Sequence, residues 1–381
     1  MTSSLVTAAL IATALGVAPA EAAPARQISY QQWDVPTGQA TLPAGVRSRS
    51  WTSPWASPGF ALTRLVASWD ARTPGRSRVR IQVRGRTGTA TSSWDTLAVW
   101  AQGDRYVKRT SKGAQTDDLG SVSVDTWVVP NGVTSYQLRV TLVRRAGQKA
   151  SPRIESVGAM ASLLPSVSSA PASAPGVARG VVLDVPAYSQ MIHRGHSPEF
   201  GAGGEAWCSP TSTSMVLGYY GALPPASAYS WVGTGHADPW VDHAARMTYD
   251  YAYEGTGNWP FNTAYAATRV DRAFVTRLRS LREAEVLIQA GIPVVASIAF
   301  KKGGLAGAPI SSTDGHLLVI VGFTADGDVV VNDPAAATDA EVRRTYDRGQ
   351  FENAWLPTSG GTVYVIADAA HPLPPSPGGN W

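Results

Sequence analysis

The chain has 381 residues, of which 44% are hydrophobic, and it carries a formal net charge of +4. This length exceeds that of one ordinary domain and suits two domains, each with its own core. The basic residues are scattered rather than gathered in one run, which argues against a nucleic-acid-binding arm. Weak attraction to an anionic cell surface and an ordinary solvated surface remain as alternatives.

The first 25 residues have the pattern of a signal peptide. Residues 5–17 form an apolar stretch that is too short to cross a bilayer, and Ala20-Glu21-Ala22 offers an A-x-A cleavage site. No Lys or Arg precedes the apolar stretch, so the signal is atypical or starts further upstream. No later segment is apolar enough for a membrane helix. We therefore expect a secreted, extracellular protein without a membrane span.

Residues 26–163 have the pattern of an all-β domain. Val79, Ile81 and Val83 alternate with polar or charged neighbours, which is the period of a strand with one buried face. Residues 136–142 repeat the alternation, and turn-forming Pro, Gly and Asn residues separate the segments. Short strands with regular turns predict a β-sandwich of jelly-roll-like type.

Tryptophan is concentrated in this predicted β domain. Seven of the 13 tryptophans lie there: Trp33, Trp51, Trp55, Trp69, Trp94, Trp100 and Trp127. Exposed Trp rings commonly stack on sugars, so the domain is a candidate binding module for a cell-wall polysaccharide. Core and edge packing is the alternative explanation.

A change of character follows the β domain. Residues 164–179 are nearly all Ser, Ala, Pro and Val, the composition of a linker. Residues 180–368 alternate apolar strands with helical stretches, which predicts a mixed α/β domain. Its expected helices cover residues 281–290 and 345–355, and its expected strands cover 292–300, 317–323, 328–332 and 362–366. The Pro/Gly-rich residues 369–381 are expected to be a disordered tail.

Cys208 is the chain's single cysteine. A secreted chain with one cysteine forms no internal disulfide, so the residue is either buried and inert or kept for its reactivity. Pro210 suits a first helical turn and Gly221 suits a helix stop, which places Cys208 at a helix N-terminus. There the helix dipole lowers a thiol pKa, which favours the reactive alternative.

A thiolate nucleophile needs a base, and His316 is the best candidate. It opens a predicted strand, and Asp333 ends the next one, after the turn at residues 325–327. Two strands joined by a tight turn would bring His316 and Asp333 together, so that the carboxylate orients the imidazole. Asn332 should point to the opposite sheet face. A satisfied structural histidine is the alternative.

Metal binding is the competing explanation for the histidines. His193-x-x-His196 and the pair His236 and His243 have no cysteine or carboxylate partners at the usual zinc spacings. We therefore expect neither a metal site nor a cofactor.

Four stretches together resemble the C39-like cysteine peptidases. These are Val185-Pro186-Ala187-Tyr188-Ser189-Gln190, Cys208-Ser209-Pro210-Thr211-Ser212, Asp314-Gly315-His316-Leu317-Leu318-Val319 and Asn332-Asp333-Pro334. The resemblance implies an α+β papain-like fold for residues 180–368. It also implies that Cys208 is the nucleophile, His316 the base, Asp333 its orienter, and that Gln190 donates to the oxyanion.

The chain departs from the family pattern in two places. Ser209 follows the cysteine where the family usually has Gly, and its side chain would either narrow the approach to the thiol or point away. Gln190 lies 18 positions before Cys208, so an inserted loop must fold aside.

The resemblance implies a thiol protease that cleaves a peptide or protein substrate, and the predicted signal peptide implies that it is secreted. A cell-wall amidase or an acyltransferase would use the same three residues, and motif spacing does not separate them. A catalytically silent cell-surface binding protein is the alternative from a different class.

Overall fold

The computed structural model describes residues 25–381. The predicted signal peptide, residues 1–25, therefore lies outside the described residues except for its last position. Within the described part, no helix is both long and apolar enough to cross a membrane.

Residues 26–163, called the β region below, contain only strands and loops. The strands are β1 (Gln27–Asp34), β2 (Ser48–Thr52), β3 (Leu62–Arg72), β4 (Ser77–Thr87), β5 (Ala90–Thr91), β6 (Asp95–Trp100), β7 (Thr110–Ser111), β8 (Ser121–Ser123), β9 (Thr126–Val133), β10 (Ser135–Arg144) and β11 (Arg153–Leu163). One antiparallel sheet has the order β1-β11-β3-β9-β8, and the second has the order β2-β10-β4-β6-β7, with β5 beside β4.

The two sheets of the β region enclose one core. The alternating Val79, Ile81 and Val83 of β4 are fully buried, and they pair with Leu142, Val140 and Leu138 of β10. Side chains of β3 and β11 from the other sheet join the same cluster. Trp69, Trp100 and Trp127 fill this core, and the Trp127 indole Nε1 donates to Asp95 at 2.6 Å. The all-β prediction is confirmed, whereas the jelly-roll connectivity stays a prediction.

Residues 180–368, called the α/β region below, combine helices with one sheet. The elements are α1 (Cys208–Tyr219), α2 (Pro239–Thr248), α3 (Trp259–Ala267), β12 (Arg272–Arg277), α4 (Leu281–Gln289), β13 (Val294–Phe300), β14 (Thr313–Phe323), β15 (Val329–Asn332), β16 (Arg343–Tyr346), α5 (Arg348–Ser359) and β17 (Thr362–Ala367). Short 3-10 helices cover Met191–His193, Gly204–Ala206, Ala226–Ala228, Ser230–Val232 and Asp339–Glu341.

The sheet of the α/β region has helices on both faces. Its six strands run in the order β12-β17-β13-β14-β15-β16, and neighbours are antiparallel. Successive residues of a strand face opposite sides, so Val295 and Val319 pack with α1, α2 and α3, while Ala296 and Ile320 pack with α4 and α5. The mixed α/β prediction is confirmed.

The helix expected over residues 345–355 differs from the structure. Residues 343–346 form β16, which pairs with β15, and α5 starts only at Arg348. Asp347 explains the boundary, because its carboxylate caps the helix by accepting from the backbone N–H of Gln350 at 2.8 Å.

The predicted linker, residues 164–179, contains no helix or strand but is attached to the α/β region. Ser173 donates its hydroxyl to Glu352 at 2.7 Å, and the N–H of Gly176 donates to the buried Glu285 at 2.9 Å. These carboxylates supply the contacts that the linker's own side chains lack.

The C-terminal residues 369–381 are packed rather than disordered, contrary to the expectation. Asn380 is fully buried, and its amide donates to the carbonyl of Arg277 and to Glu283, both at 2.9 Å. The Trp381 side chain packs against the core beneath α4 and α5. Composition alone missed these contacts because they depend on distant partners.

The β region and the α/β region share a continuous interface. Phe261 of α3 is fully buried in the core of the β region, and its ring lies 6.2 Å from that of Trp69. Polar contacts also join the two regions. They include an ion pair of Asp104 with Arg246 at 3.0 Å and a hydrogen bond from the Trp259 N–H to Asp125 at 3.0 Å. The β region is therefore a fixed neighbour of the helices α2 and α3.

Candidate active site

Cys208 is the first residue of α1, as predicted, with Trp207 as the preceding cap residue. The helix packs along β14, and its residues 209–217 are buried. Cys208 itself is partly exposed and lines a cleft. The thiol thus combines access from outside with a helix N-terminus, where backbone N–H groups favour a negative charge.

His316 and Asp333 come together through the pairing of β14 with β15, in which Val319 lies opposite Asn332. The His316 Nε2 atom lies 2.7 Å from the Asp333 Oδ1 atom, and both side chains are buried. The imidazole also lines the same cleft as the Cys208 thiol and lowers the pKa of that thiol. Because Nε2 is taken by the carboxylate, Nδ1 is the nitrogen left for the sulfur.

Electrostatics in this row of three groups favour a charge-separated pair. Burial alone would raise the pKa of the Cys208 thiol, but the hydrogen bond and charge of His316 outweigh it and hold the pKa below its usual value. Burial likewise opposes the charged form of His316, yet Asp333 and the thiol raise its pKa to about 10. A thiolate beside an imidazolium is the protonation state that these shifts favour.

Asp333 is held by more groups than the sequence indicated. The Tyr346 hydroxyl donates to Asp333 Oδ2 at 2.7 Å, and the N–H of Ala335 donates to Oδ1 at 3.0 Å. Burial would raise the pKa of Asp333, but His316 and these donors lower it. Tyr346 was missed because it belongs to β16, where a helix was expected.

Asn332 points away from His316, as the alternation of a strand requires. Its amide donates to the carbonyls of Val185 and Pro186 at 3.2 and 3.0 Å, and its oxygen accepts from Arg343 at 2.6 Å. The choice of Asp333 over Asn332 as the neighbour of His316 agrees with this geometry.

The inserted loop, residues 191–206, folds back on itself so that Gln190 lines the same cleft as Cys208. The Gln190 side-chain amide donates to the Glu205 carbonyl at 2.7 Å. This conformation of the loop requires glycine at position 204, because a Cβ atom there would lie 2.4 Å from the Gln190 carbonyl oxygen. Since an amide nitrogen has two hydrogens, the second one of Gln190 is free for another acceptor.

Ser209 does not narrow the approach to the thiol. Its hydroxyl lies 2.9 Å from that of Tyr364, and the residue is fully buried beneath the helix. Of the two alternatives, the side chain takes the one that points away from the cleft.

Two of the histidines do have a carboxylate partner, although it does not lie at a usual zinc spacing in the sequence. Asp242 of α2 accepts from His193 Nδ1 at 2.9 Å and lies 3.2 Å from His196 Nδ1. His236 Nδ1 lies 3.0 Å from His196 Nε2. The partner was missed because it lies 46 residues beyond His196 in the chain. These bonds tie the inserted loop to α2.

The cleft beside Cys208, called the cysteine cleft below, has a volume of about 1020 Å³. The α/β region supplies Gln190, Tyr253, Trp259 and His316 to its lining. The β region supplies further lining residues that the sequence did not suggest: Arg64, Ser123, Val124, Asp125, Thr126 and Val128. A cleft of this size holds several residues of an extended peptide.

The sequence models of two protein families match this chain. Residues 182–363 match the sequence model of the Peptidase_C39 like family, and residues 16–162 match that of the Peptidase C39 N-terminal domain. No curated protein matches.

Solved structures give more distant likenesses. A protein described as a C39-like peptidase from Bacillus anthracis is 17% identical, with 49% of this chain and 97% of that chain covered and a TM-score of 0.33. A serine protease of Aeromonas sobria is 11% identical, with 38% and 28% covered and a TM-score of 0.21. The two family models, in contrast, span both the β region and the α/β region.

Proposed function

Because the chain belongs to the C39-like peptidase family, we propose that it is a cysteine peptidase that hydrolyses peptide bonds through Cys208, His316 and Asp333. One observation carries the proposal: a partly exposed thiol and an imidazole that is hydrogen-bonded to a buried carboxylate come together at one cleft. A family membership alone would leave the nucleophile open.

The proposed reaction begins with attack of the Cys208 thiolate on the carbonyl carbon of the scissile bond. His316 gives its proton to the leaving nitrogen as the carbon–nitrogen bond breaks, which leaves a thioester on Cys208. A water molecule then gives a proton to His316 and attacks the thioester. The acid product leaves, and the thiolate and imidazolium are restored.

Gln190 and the start of α1 are proposed to stabilise the oxyanion. The free hydrogen of the Gln190 amide and the N–H of Cys208 are the available donors at this end of the cleft. One such donor contributes about 3 kcal/mol of transition-state stabilisation.

The papain-like fold belongs to the same proposal. A helix that begins at the nucleophile packs against an antiparallel sheet that bears the base and the acid, and this arrangement supports it. Export is proposed from the sequence pattern of residues 1–25. Mass spectrometry of the N-terminus of protein recovered from the medium tests it: a start near Ala23 supports export, and an intact Met1 in retained protein contradicts it.

The proposed activity is tested with casein-derived peptides and mass spectrometry of the products. We expect hydrolysis by the wild-type protein and none by Cys208→Ala, with Ser214→Ala, a buried change on the same helix, as the matched control. Hydrolysis that persists in Cys208→Ala contradicts the proposal. Cys208-dependent cleavage of cell-wall amides without cleavage of any peptide would make the chain an amidase instead.

A further inference from the structure

Charge is divided unequally between the two regions of the chain. Residues 26–163 contain 19 Lys and Arg against 8 Asp and Glu, whereas residues 164–381 contain 13 against 19. The small net charge of the whole protein therefore hides a strongly basic β region joined to an acidic α/β region. Such an asymmetry points to a polyanionic partner for the basic half.

The strand register gathers many of these charges on one surface. Because Val79, Ile81 and Val83 face the core, the intervening residues of β4 face outward, and four of them are arginines: Arg78, Arg80, Arg84 and Arg86. Arg139 of β10 lies opposite Gln82 and joins them. We call these five residues the arginine face.

The arginine face has neutral partners only. Arg84 donates to Gln137, Arg86 to Ser135 and Arg139 to Gln82, and no ion pair among the described residues includes any of the five. Burial and the charges of Arg80 and Arg84 together lower the pKa of Arg139. Like charges held side by side without counter-ions destabilise the free protein, so their arrangement favours an anion from outside.

At one end the arginine face runs into a pocket of about 670 Å³. Six arginines and no carboxylate line this arginine pocket: Arg47, Arg76, Arg78, Arg105, Arg144 and Arg145. The Arg144 side chain is buried and bonds only the carbonyls of Lys149 and Pro43. Tyr106 lies between two of the guanidinium groups, 4.9 Å from Arg76 and 5.1 Å from Arg105.

Two aromatic rings on this surface contact the arginines. Trp55 lies beneath Arg84 and Arg86, at 5.2 and 4.2 Å, and Trp94 lies beneath Arg84 and Arg139, at 4.6 and 4.2 Å. Arginine side chains therefore occupy a face of each of these two rings, and the expected polysaccharide platform finds no support. The rings instead fix the guanidinium groups in place.

We propose that the arginine face and the arginine pocket form a binding site for a linear polymer of phosphoryl groups. Guanidinium groups bind phosphoryl oxygens in a bidentate manner, which suits arginine rather than lysine. Outward residues of a strand repeat every ~7 Å, so β4 presents a row of cations about 30 Å long that matches an extended chain. The concave pocket receives a chain more readily than a flat membrane.

The test measures binding of fluorescent inorganic polyphosphate to the full-length protein by anisotropy at several salt concentrations. We expect Arg76→Gln combined with Arg105→Gln to weaken binding at least tenfold near 0.1 M salt and to reduce the slope of log K against log salt by about two. Both residues are exposed, so the fold is retained. The control, Arg282→Gln with Lys302→Gln, removes two exposed charges from the α/β region and should bind as the wild type does.

Three results would overturn the proposal: no binding of polyphosphate at this salt concentration, equal weakening by both double variants, or binding to phosphatidylglycerol vesicles without binding to polyphosphate. Cys208→Ala should bind polyphosphate as tightly as the wild type, since the site lies outside the cysteine cleft. Loss of peptidase activity therefore leaves this readout unchanged.

Discussion

Among single residues, the protonation state of Cys208 depends on the carboxylate of Asp333, which acts on the thiol only through His316. Asp333 accepts hydrogen bonds from His316, Tyr346 and the Ala335 N–H, and it is buried. Its negative charge keeps the imidazole protonated, and the imidazolium in turn keeps the thiolate. The pH range of the reactive pair therefore extends from the lowered pKa of Cys208 up to about 10, the pKa of His316.

Asp333→Asn should remove this support. Without the carboxylate the pKa of His316 falls, so the alkaline limb of the pH profile of kcat/KM moves from about 10 to lower pH. We expect kcat/KM at neutral pH to fall by about 10²-fold or more. The matched control is Asp326→Asn, an exposed change in the turn between the same two strands. An unshifted alkaline limb would show that Asp333 does not set the pKa of His316.

At the scale of secondary-structure elements, the inserted loop acts as a support for Gln190. Two imidazoles from the loop, His193 and His196, meet the single carboxylate of Asp242 on α2. His193 and Asp242 are fully buried, so neither finds a replacement partner in water if the other is removed.

Asp242→Ala should loosen the loop without altering the thiol. Leaving His193 unpaired costs about 2–3 kcal/mol of unfolding free energy. We expect faster limited proteolysis within residues 191–206 and a lower kcat, because Gln190 loses its fixed position, while the alkylation rate of Cys208 stays the same. Glu199→Ala, an exposed acid of the same loop, is the control. Unchanged stability and proteolysis would contradict the supporting role.

Local sequence signals predicted those parts of the site that depend on neighbours in the chain. Pro210 marked the start of α1 at Cys208, and the turn at residues 325–327 brought His316 close to Asp333. Tyr346 and Asp242 could not be found in this way, because their roles depend on a strand register and on a helix far along the chain. The arginine face, in contrast, could be predicted from the sequence. It follows from the alternation of arginine with apolar residues along β4 and from a separate count of charges in each region.

In the molecule as a whole, the β region packs directly against the α/β region rather than hanging from it on a flexible tether. The composition of residues 164–179 predicted a linker, but composition does not report the carboxylates of Glu285 and Glu352 that anchor it. Phe261 inserts into the β core, and Asp125 both bonds Trp259 and lines the cysteine cleft. Substrate bound in the cleft would therefore contact both regions.

Phe261→Ala tests whether the two regions are one cooperative unit. Removal of this fully buried ring should lower the unfolding free energy by about 3–5 kcal/mol. Two signals should be lost at the same, lower denaturant concentration. One is the tryptophan fluorescence, to which seven residues of the β region and six from the rest of the chain contribute. The other is the rapid alkylation of Cys208 at neutral pH, which requires the folded pairing with His316. Tyr106→Ala, which removes a half-exposed ring, should shift neither curve. Two separate transitions in the wild-type protein would contradict a single unit.

The rate of Cys208 alkylation by iodoacetamide between pH 5 and 10, in the wild type and in His316→Ala, tests whether the two residues form a reactive pair. A thiolate paired with His316 predicts rapid alkylation that begins well below pH 8.5, the value of a free thiol. In His316→Ala the onset should move above that value, because burial alone raises the pKa of the thiol. An onset near 8.5 in the wild type that His316→Ala leaves unchanged would show that the two residues are not a reactive pair.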